Sequence, residues 1–386
     1  MTENNVARPS RDADRMRRVL RLAARGRGWT SPNPMVGAVL VKDGHIIGEG
    51  FHTAVGKRHA EREALADARR RGNDPAGATM YVNLEPCCHY GRTPPCTDAI
   101  MEAGVAKVVV AHQDPNPQVN GHGLTILKEA GLEVEVGVLA DEAIRLNQVY
   151  CRYICSQRPF VTLKAATTLD GKIATVTGHS KWVSGPAALR YAHHLRHVND
   201  AVLVGVDTVI ADDPRLTCRP GVEQDVRQPL RVVVDSTLRT PEDSVIVSGT
   251  LPAQTVIATT DRSDSEKRKR LAKESVLVKR FPADETGRVD LAALLVWLHR
   301  REVAGLLVEG GGRVHASFVR AGLADKLELV LAPKLVGGEG GASWMAGVLA
   351  ETMNEAVVLR DMRVRQLGSD WLIEGLFEEV GGCLLD

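Results

Sequence analysis

Glu85–Cys96, "EPCCHYGRTPPC", packs three cysteines and a histidine between an apolar run, "ATMYVNL" (78–84), and a helical pattern, "TDAIMEAG" (97–104). Free cysteines are commonly buried as small hydrophobes, so four such donors at the end of a strand pose a choice between core and metal site. "HAERE" at His59–Glu63 bears on it. A catalytic zinc takes three protein ligands and keeps one position open for water. Activating that water takes a base that is close but not itself a ligand. His59, at the mouth of a helix, and Glu61, two residues on, offer an imidazole and a carboxylate toward one centre. A closed structural zinc site, with Cys88 or His89 as fourth ligand, is the rival reading, and it leaves Glu61 without a purpose.

Around this segment the first half alternates helix and strand. Met16, Val19, Leu20 and Ala23 recur at helical spacing behind Asp12 and Asp14. "MVGAVLVKDGHIIGEGF" (35–51) reads as two strands about an Asp43-Gly44 turn. "HAEREALADARRRG" is a helix ending at Gly72, and "VAKVVVAH", "GLTILKEAG" and "LEVEVGV" continue as strand, helix and strand. The alternation implies a sheet covered by helices on both faces.

Around Tyr150–Pro159 the pattern resets. "RPFVTLKAATTLDGKIAT" opens a new strand and turn, "GPAALRYAHHLRHVND" is helical, and "AVLVGVDTVI", "LRVVVDS" and "QTVIATT" read as strands. "GLLVEGGG" is a strand ending in glycines before the helix "RVHASFVRAGL", and "KLELVLAPKLVGG" and "WLIEGLFEE" close the sheet. Two unlike α/β domains are expected, 1–152 and 153–386. Glu309–Arg313 reads equally as an anion cradle, where bare glycine backbone approaches a phosphate, or as a plain strand-to-helix turn.

Composition excludes several classes. The 386 residues are 44% hydrophobic and 25% charged, as in a soluble globular protein. Basic and acidic residues nearly cancel, 49 against 48, which gives no electrostatic reason to expect a nucleic-acid partner. No apolar run approaches the length of a membrane span, and none near the start suits a signal peptide. Seven cysteines without a secretion signal do not read as a disulfide framework. A cytoplasmic protein with reduced thiols is expected. Cys151 and Cys155 have helical spacing and read as core or surface thiols.

The set His59-x-Glu61 followed by Pro86-Cys87 and Cys96 resembles the zinc deaminase signature. By that match His59, Cys87 and Cys96 hold one Zn2+, Cys88 leaves the strand in the opposite direction, and Glu61 is the catalytic proton carrier. Deaminases of free nucleosides or nucleic-acid bases space the cysteines more closely; here "CHYGRTPP" separates them. With "TSPNPMVGAV" (30–39) and "QDPNPQVNGHG" (113–123), the longer segment resembles the deaminase of riboflavin biosynthesis. "LKAATTLDGKIAT", "HSKWVSGP", "HLRHVNDAVLVGVDTVIADDPRLTCR", "VVVDSTLRTP" and "LLVEGGGRVHASF" are similar to its fused reductase.

The resemblance implies a three-layer cytidine-deaminase-like domain followed by a dihydrofolate-reductase-like α/β domain. It implies two consecutive reactions on one phosphorylated pyrimidine, a zinc-dependent deamination and an NADPH-dependent reduction of the ribosyl group. It assigns deaminase substrate contacts to Asn33, His52, His89, Arg92 and Asp114. NADPH contacts fall on Ala166, Trp182, Thr208, Asp212, Ser236 and Gly311, Gly312, Arg313, Val314, His315, Ala316 and Ser317. Reductase substrate contacts fall on Lys164, Ser180, Arg196, Leu216, Arg219 and Glu309, with Arg196 and Arg219 suited to a phosphate. No nucleic-acid or membrane partner is implied, and a homo-oligomer is left open. The alternatives are a nucleoside or nucleic-acid base deaminase with an unrelated C-terminal domain, against which neutral charge and the cysteine spacing argue, and a zinc-stabilised binding protein, against which Glu61 argues.

Overall fold

Both halves carry strands that are apolar on both faces, and a sheet of such strands has to be covered on each side. The structure, a computed structural model, describes residues 11–90, 94–219, 226–338 and 340–377. It divides into two units between Ser156 and Gln157. The first contains α1 (Arg11–Ala23), β1 (Gly37–Lys42), β2 (His45–Phe51), α2 (Ala60–Arg70), β3 (Thr79–Val82), α3 (Cys96–Glu102), β4 (Lys107–Val110), α4 (His122–Glu129), β5 (Glu133–Val136), α5 (Ala140–Leu146) and α6 (Gln148–Ser156). The expected division at 152/153 falls inside α6; the helix keeps its hydrogen-bonded turns together, and the chain breaks after it.

The strands of the first unit lie in the order β2-β1-β3-β4-β5. β1 is antiparallel to both neighbours, whereas β3, β4 and β5 are parallel. Alternation along the strands sends Ala38, Leu40, Met80, Val82, Val108 and Val110 to one face, under α2, α3 and α4. Val39, Val41, Tyr81 and Val109 go to the other, against Met16 and Val19 of α1 and Ala143 of α5. Asp43 and Gly44 both take positive φ, 50° and 80°, as a two-residue hairpin turn requires.

One contact sets the position of α2. A Cβ on Gly48 would lie 2.4 Å from the Ala64 carbonyl oxygen, and one on Gly50 would lie 2.4 Å from the Ala64 nitrogen. Glycines on β2 facing alanines on α2 let the helix backbone rest against the strand itself.

The second unit contains β6 (Phe160–Thr168), α7 (Pro186–Val198), β7 (Ala201–Gly205), α8 (Val206–Asp212), β8 (Leu230–Val234), β9 (Thr255–Thr259), α9 (Ser265–Leu271), β10 (Val276–Arg280), α10 (Leu291–His299), β11 (Gly305–Gly310), α11 (Gly312–Arg320), β12 (Lys326–Ala332), β13 (Arg360–Leu367) and β14 (Asp370–Leu376). They build a nine-stranded sheet, β10-β9-β8-β7-β11-β6-β12-β14-β13. It is parallel up to β12 and closed by an antiparallel hairpin. Val161, Leu163, Leu203, Val232, Leu306 and Val308 pack under α10 and α11, through Leu294, Leu298 and Phe318. Val202, Val204, Val233 and Ile257 meet Leu195, Val209 and Leu271 of α7, α8 and α9. Among the described residues no helix is long and apolar enough to cross a membrane.

Candidate functional site

In the first unit His59 is the N-cap of α2 and Cys96 opens α3, while Cys87 follows β3. The three side chains converge, with all their ligand atoms within 4.8 Å of one another. Cys87 Sγ lies 3.5 Å and Cys96 Sγ 3.3 Å from His59 Nδ1. Around a tetrahedral zinc, with Zn–S about 2.3 Å and Zn–N about 2.0–2.1 Å, sulfur and nitrogen ligands stand roughly 3.6 Å apart. The donor set therefore fits zinc in both chemistry and spacing. The imidazole presents Nδ1 to this centre, a detail no spacing rule supplied. Cys88 Sγ points instead toward the Gln118 carbonyl, at 4.0 Å, outside the group.

Glu61 sits in the first turn of α2 and is buried. Its Oε2 has no hydrogen-bond partner among the described residues. Burial raises the Glu61 carboxyl above its ordinary range, and the negative Cys87 adds to this. Hydrogen bonding from Cys96 and then His59 lowers the Cys87 thiol, and the Cys96 N–H also points to its sulfur at 3.4 Å, as the start of a helix favours. A thiolate is what a metal takes.

Two other expected residues stand beside this group. The His52 ring meets the His59 ring edge-on at 5.5 Å, and Asn33 Nδ2 lies 3.3 Å from His52 Nε2. Burial lowers the His52 pKa, which favours the neutral ring. His89 is half-buried, and its Nδ1 has no partner among the described residues. Asp114 is buried and accepts from the Tyr150 hydroxyl at 2.8 Å and the Asn116 N–H at 2.9 Å. Burial pushes its pKa up to about 6. Arg92 lies outside the described residues.

Sequence reasoning missed the residues that hold these loops. Glu85 accepts four backbone N–H groups: Asp114 (3.1 Å) and Gly121 (2.9 Å) on Oε2, Gly123 (2.9 Å) and Leu124 (3.2 Å) on Oε1. Asn83 and Asn147 both donate to the Met35 carbonyl, and Asn147 also accepts the Met35 N–H, fixing the segment that carries Asn33. The only signal was Glu85's adjacency to Pro86-Cys87.

In the second unit the glycine turn joins β11 to α11. Gly311 has φ 82° and ψ 117°, a conformation open to glycine and strained for other residues. Thr208 Oγ1 closes on Gly310, 2.9 Å from where a Cβ would stand. A cleft beside it is lined by Ser236, Arg313, Val314 and Ser317. His315 and Ala316, expected among the cofactor contacts, are buried, and His315 points to the Trp344 and Val308 carbonyls. Residues three apart on a helix share a face, and Val314 and Ser317 take the cleft side. Ser180 Oγ donates to Asp212 Oδ1 at 3.1 Å. Trp182 is exposed, Ala166 packs beside Val330 and Ala188, and the Arg219 N–H donates to His193 Nδ1.

Arg196 does not keep a free guanidinium for a phosphate. It forks onto both oxygens of Glu309 at 2.6 Å and also reaches the Thr217 carbonyl at 3.0 Å. Burial opposes ionisation of Glu309, but the Arg196 charge and hydrogen bonds outweigh it and hold the carboxyl low. Lys164, on β6 opposite Glu328, has its pKa lowered by burial, with Glu309 acting against that shift. Leu216 is buried, with φ 50°.

Residues 9–112 match the family described as the cytidine and deoxycytidylate deaminase zinc-binding region, and 159–373 match the RibD C-terminal domain. The riboflavin biosynthesis protein RibD of Actinobacillus pleuropneumoniae is 41% identical over 96% of both chains. That of Escherichia coli is 40% identical over 92% of this chain and 96% of its own. The structure of Acinetobacter baumannii RibD in one crystal form superposes with a TM-score of 0.82 at 37% identity, over 95% of this chain and 98% of that one. A Thermotoga maritima protein described as a diaminohydroxyphosphoribosylaminopyrimidine deaminase and 5-amino-6-(5-phosphoribosylamino)uracil reductase superposes with a TM-score of 0.77 at 36% identity, over 95% and 98%. Zn2+ and NADPH are the cofactors that go with these two regions. Matched along both units, the chain belongs to the RibD family of bifunctional deaminase–reductases of riboflavin biosynthesis.

Proposed function

We propose that the first unit removes the 2-amino group of 2,5-diamino-6-ribosylamino-4(3H)-pyrimidinone 5′-phosphate by hydrolysis. The second reduces the ribosyl group of the product to ribityl, giving 5-amino-6-(5-phospho-D-ribitylamino)uracil. The observation that carries this reading is the unpartnered, buried Glu61 Oε2 beside a three-donor set in a chain whose relatives are RibD proteins. His59 Nδ1, Cys87 and Cys96 would hold zinc, whose Lewis acidity supplies a water that is nucleophilic near neutral pH. Glu61 Oε2 accepts one proton from the attacking water and passes it to the ring nitrogen. It then takes the second proton from the hydroxyl now on the ring carbon, as the carbonyl forms, and delivers it to the amine, which leaves as ammonia. Asn33 can donate and accept at one ring edge, His52 supports it, and His89 and Arg92 suit the substrate phosphate.

In the second unit the glycine turn and the first turn of α11 receive the cofactor phosphates, and NADPH supplies the hydride. Arg196 holds Glu309 ionised against the end of β11, so the pair orients the sugar rather than its phosphate. Arg219 remains the arginine suited to that phosphate. A cytoplasmic enzyme with no nucleic-acid or membrane partner is part of the same reading, supported by the balanced charge. The test is to incubate purified protein with the diaminopyrimidine phosphate, with and without NADPH, and to weigh the products. Loss of ammonia without NADPH and a further two-hydrogen gain with it are expected. Glu61→Gln should keep its zinc while deamination falls by roughly 10²–10⁴-fold. Unchanged substrate mass in wild type would overturn the reading.

A further inference from the structure

Four arginines line the cleft of the second unit, and the structure treats them unequally. Arg239, beyond β8, donates to Asp207 Oδ1 at 2.6 Å, and Arg313, in the first turn of α11, lies 3.9 Å from Asp207 Oδ2. One carboxylate thus offsets both. Arg262, beyond β9, and Arg288, in the loop between β10 and α10, make no ion pair among the described residues. Arg262 Nη1 donates to the Gly287 carbonyl at 3.2 Å, which brings the two loops together. Asp284 Oδ1, nearby in sequence, accepts from the backbone N–H groups of Thr286 and Arg288 and from the Thr286 hydroxyl. Asp284 also lines the cleft and its charge acts on Arg288, so Arg288 is partly offset, while Arg262 keeps guanidinium donors besides the one on the Gly287 carbonyl turned to water or to a ligand.

Their place in the sheet says which part of a ligand they meet. The order β10-β9-β8-β7-β11 puts the glycine turn and the α11 N-terminus at one end of the cleft. Arg262 and Arg288 stand at the other, with Ser236 between. A pyrophosphate occupies the helix end. A second anion, one ribose away, exists only in a dinucleotide phosphorylated on its adenosine ribose. Asp235 is the acid at the end of β8, where a carboxylate that takes ribose hydroxyls would repel such a phosphate. Here it is buried: its Oδ2 accepts the Thr240 N–H at 2.6 Å and hydroxyl at 2.7 Å, and its Oδ1, without a partner among the described residues, is enclosed too rather than offered to the cleft.

We propose that Arg262 and Arg288 clamp the 2′-phosphate of the adenosine half and so set the preference for NADPH over NADH. This rests on the cofactor reading of the cleft given above. Planar guanidinium forks suit a phosphate, and a lysine in either place would be a weaker substitute.

The test uses the full chain and calorimetric titration with two probes, 2′,5′-ADP and 5′-ADP. Arg262→Gln and Arg288→Gln should each weaken 2′,5′-ADP by roughly 10–100-fold, as expected for loss of a charge-assisted hydrogen bond. Binding of 5′-ADP should stay unchanged, which also reports that the cleft is folded. The KM ratio of NADH to NADPH should fall by a similar factor. A double variant that keeps the wild-type preference for 2′,5′-ADP over 5′-ADP overturns the clamp while leaving the cofactor reading in place. A folded wild-type protein that binds neither probe overturns both.

Discussion

Replacing Glu85 with glutamine removes one oxygen acceptor from a buried carboxylate that serves four backbone N–H groups. The amide keeps the size of the side chain but turns an NH2 donor toward two of those donors. Two buried N–H groups lose their acceptor, at roughly 1–3 kcal/mol each, or about 2–6 kcal/mol for the loop. For a unit of this size 1 kcal/mol moves Tm by about 2–4 °C, so a loss of ~4 kcal/mol lowers it by roughly 8–16 °C. Glu85→Ala should do more, since all four donors lose their partner. Hydrogen exchange gives the local readout: the amides of Asp114, Gly121, Gly123 and Leu124 should lose protection, while those of β1 should change little. Asp114 is tied to the loop through its own N–H, so the KM for the pyrimidine should rise before zinc is lost. Unchanged exchange at these four amides, with unchanged Tm, would refute the reasoning.

Cys87→Ser and Cys96→Ser should each lose zinc or hold it weakly, whereas Cys88→Ser should keep a full metal complement; metal analysis of the three decides it, and zinc loss from the Cys88 variant would overturn the ligand set. Gly311→Asp should abolish NADPH binding through both backbone strain and charge repulsion, and the deaminated intermediate should accumulate; a folded variant that still oxidises NADPH at the normal rate would remove the cofactor from this turn. Asp114 titrates near 6 in the folded chain against about 3.8 unfolded, so the native state binds the extra proton. The resulting stability is full below pH ~3.8 and is lost by ~6, a span of about 3 kcal/mol. Asp114→Asn cannot ionise, so its Tm relative to wild type should climb between pH 4.5 and 7.5; a constant difference would contradict the assignment.

The hairpin about Asp43-Gly44 and helix α2 were legible because each depends on local pattern, a two-residue turn and a helical repeat; the selection of His59, Cys87 and Cys96 from the candidate donors came from the resemblance to the deaminase signature. Glu85 was not legible, because its partners sit 29 to 39 residues away and a carboxylate before Pro86 looks like a strand end. β13 escaped because "RDMRVRQL" is charged and almost wholly exposed, the composition of an edge strand that no apolar alternation marks. The second helical turn at the end of the first unit, α6, was visible only as the spacing of Cys151 and Cys155. Arg196 was read as a phosphate partner because its residue type suits one, and only the fold brings Glu309, 113 residues on, into its fork. Arg262 and Arg288 were hidden for a like reason, since only the fold brings their loops together at the Gly287 carbonyl.

The glycines of β2 contribute no donor to the metal, yet they decide where the metal can be. The Gly50 contact lies one turn inside α2, 2.4 Å from the Ala64 nitrogen and 2.5 Å from the Ala60 carbonyl, next to the residue that offers Nδ1. A methyl group there would lift the start of the helix off the sheet while Cys87 and Cys96 stayed on α3 and its preceding loop. Zinc affinity thus becomes a ruler for helix height: it reads, from across the layer, displacements at a strand position that no inventory of ligands would include.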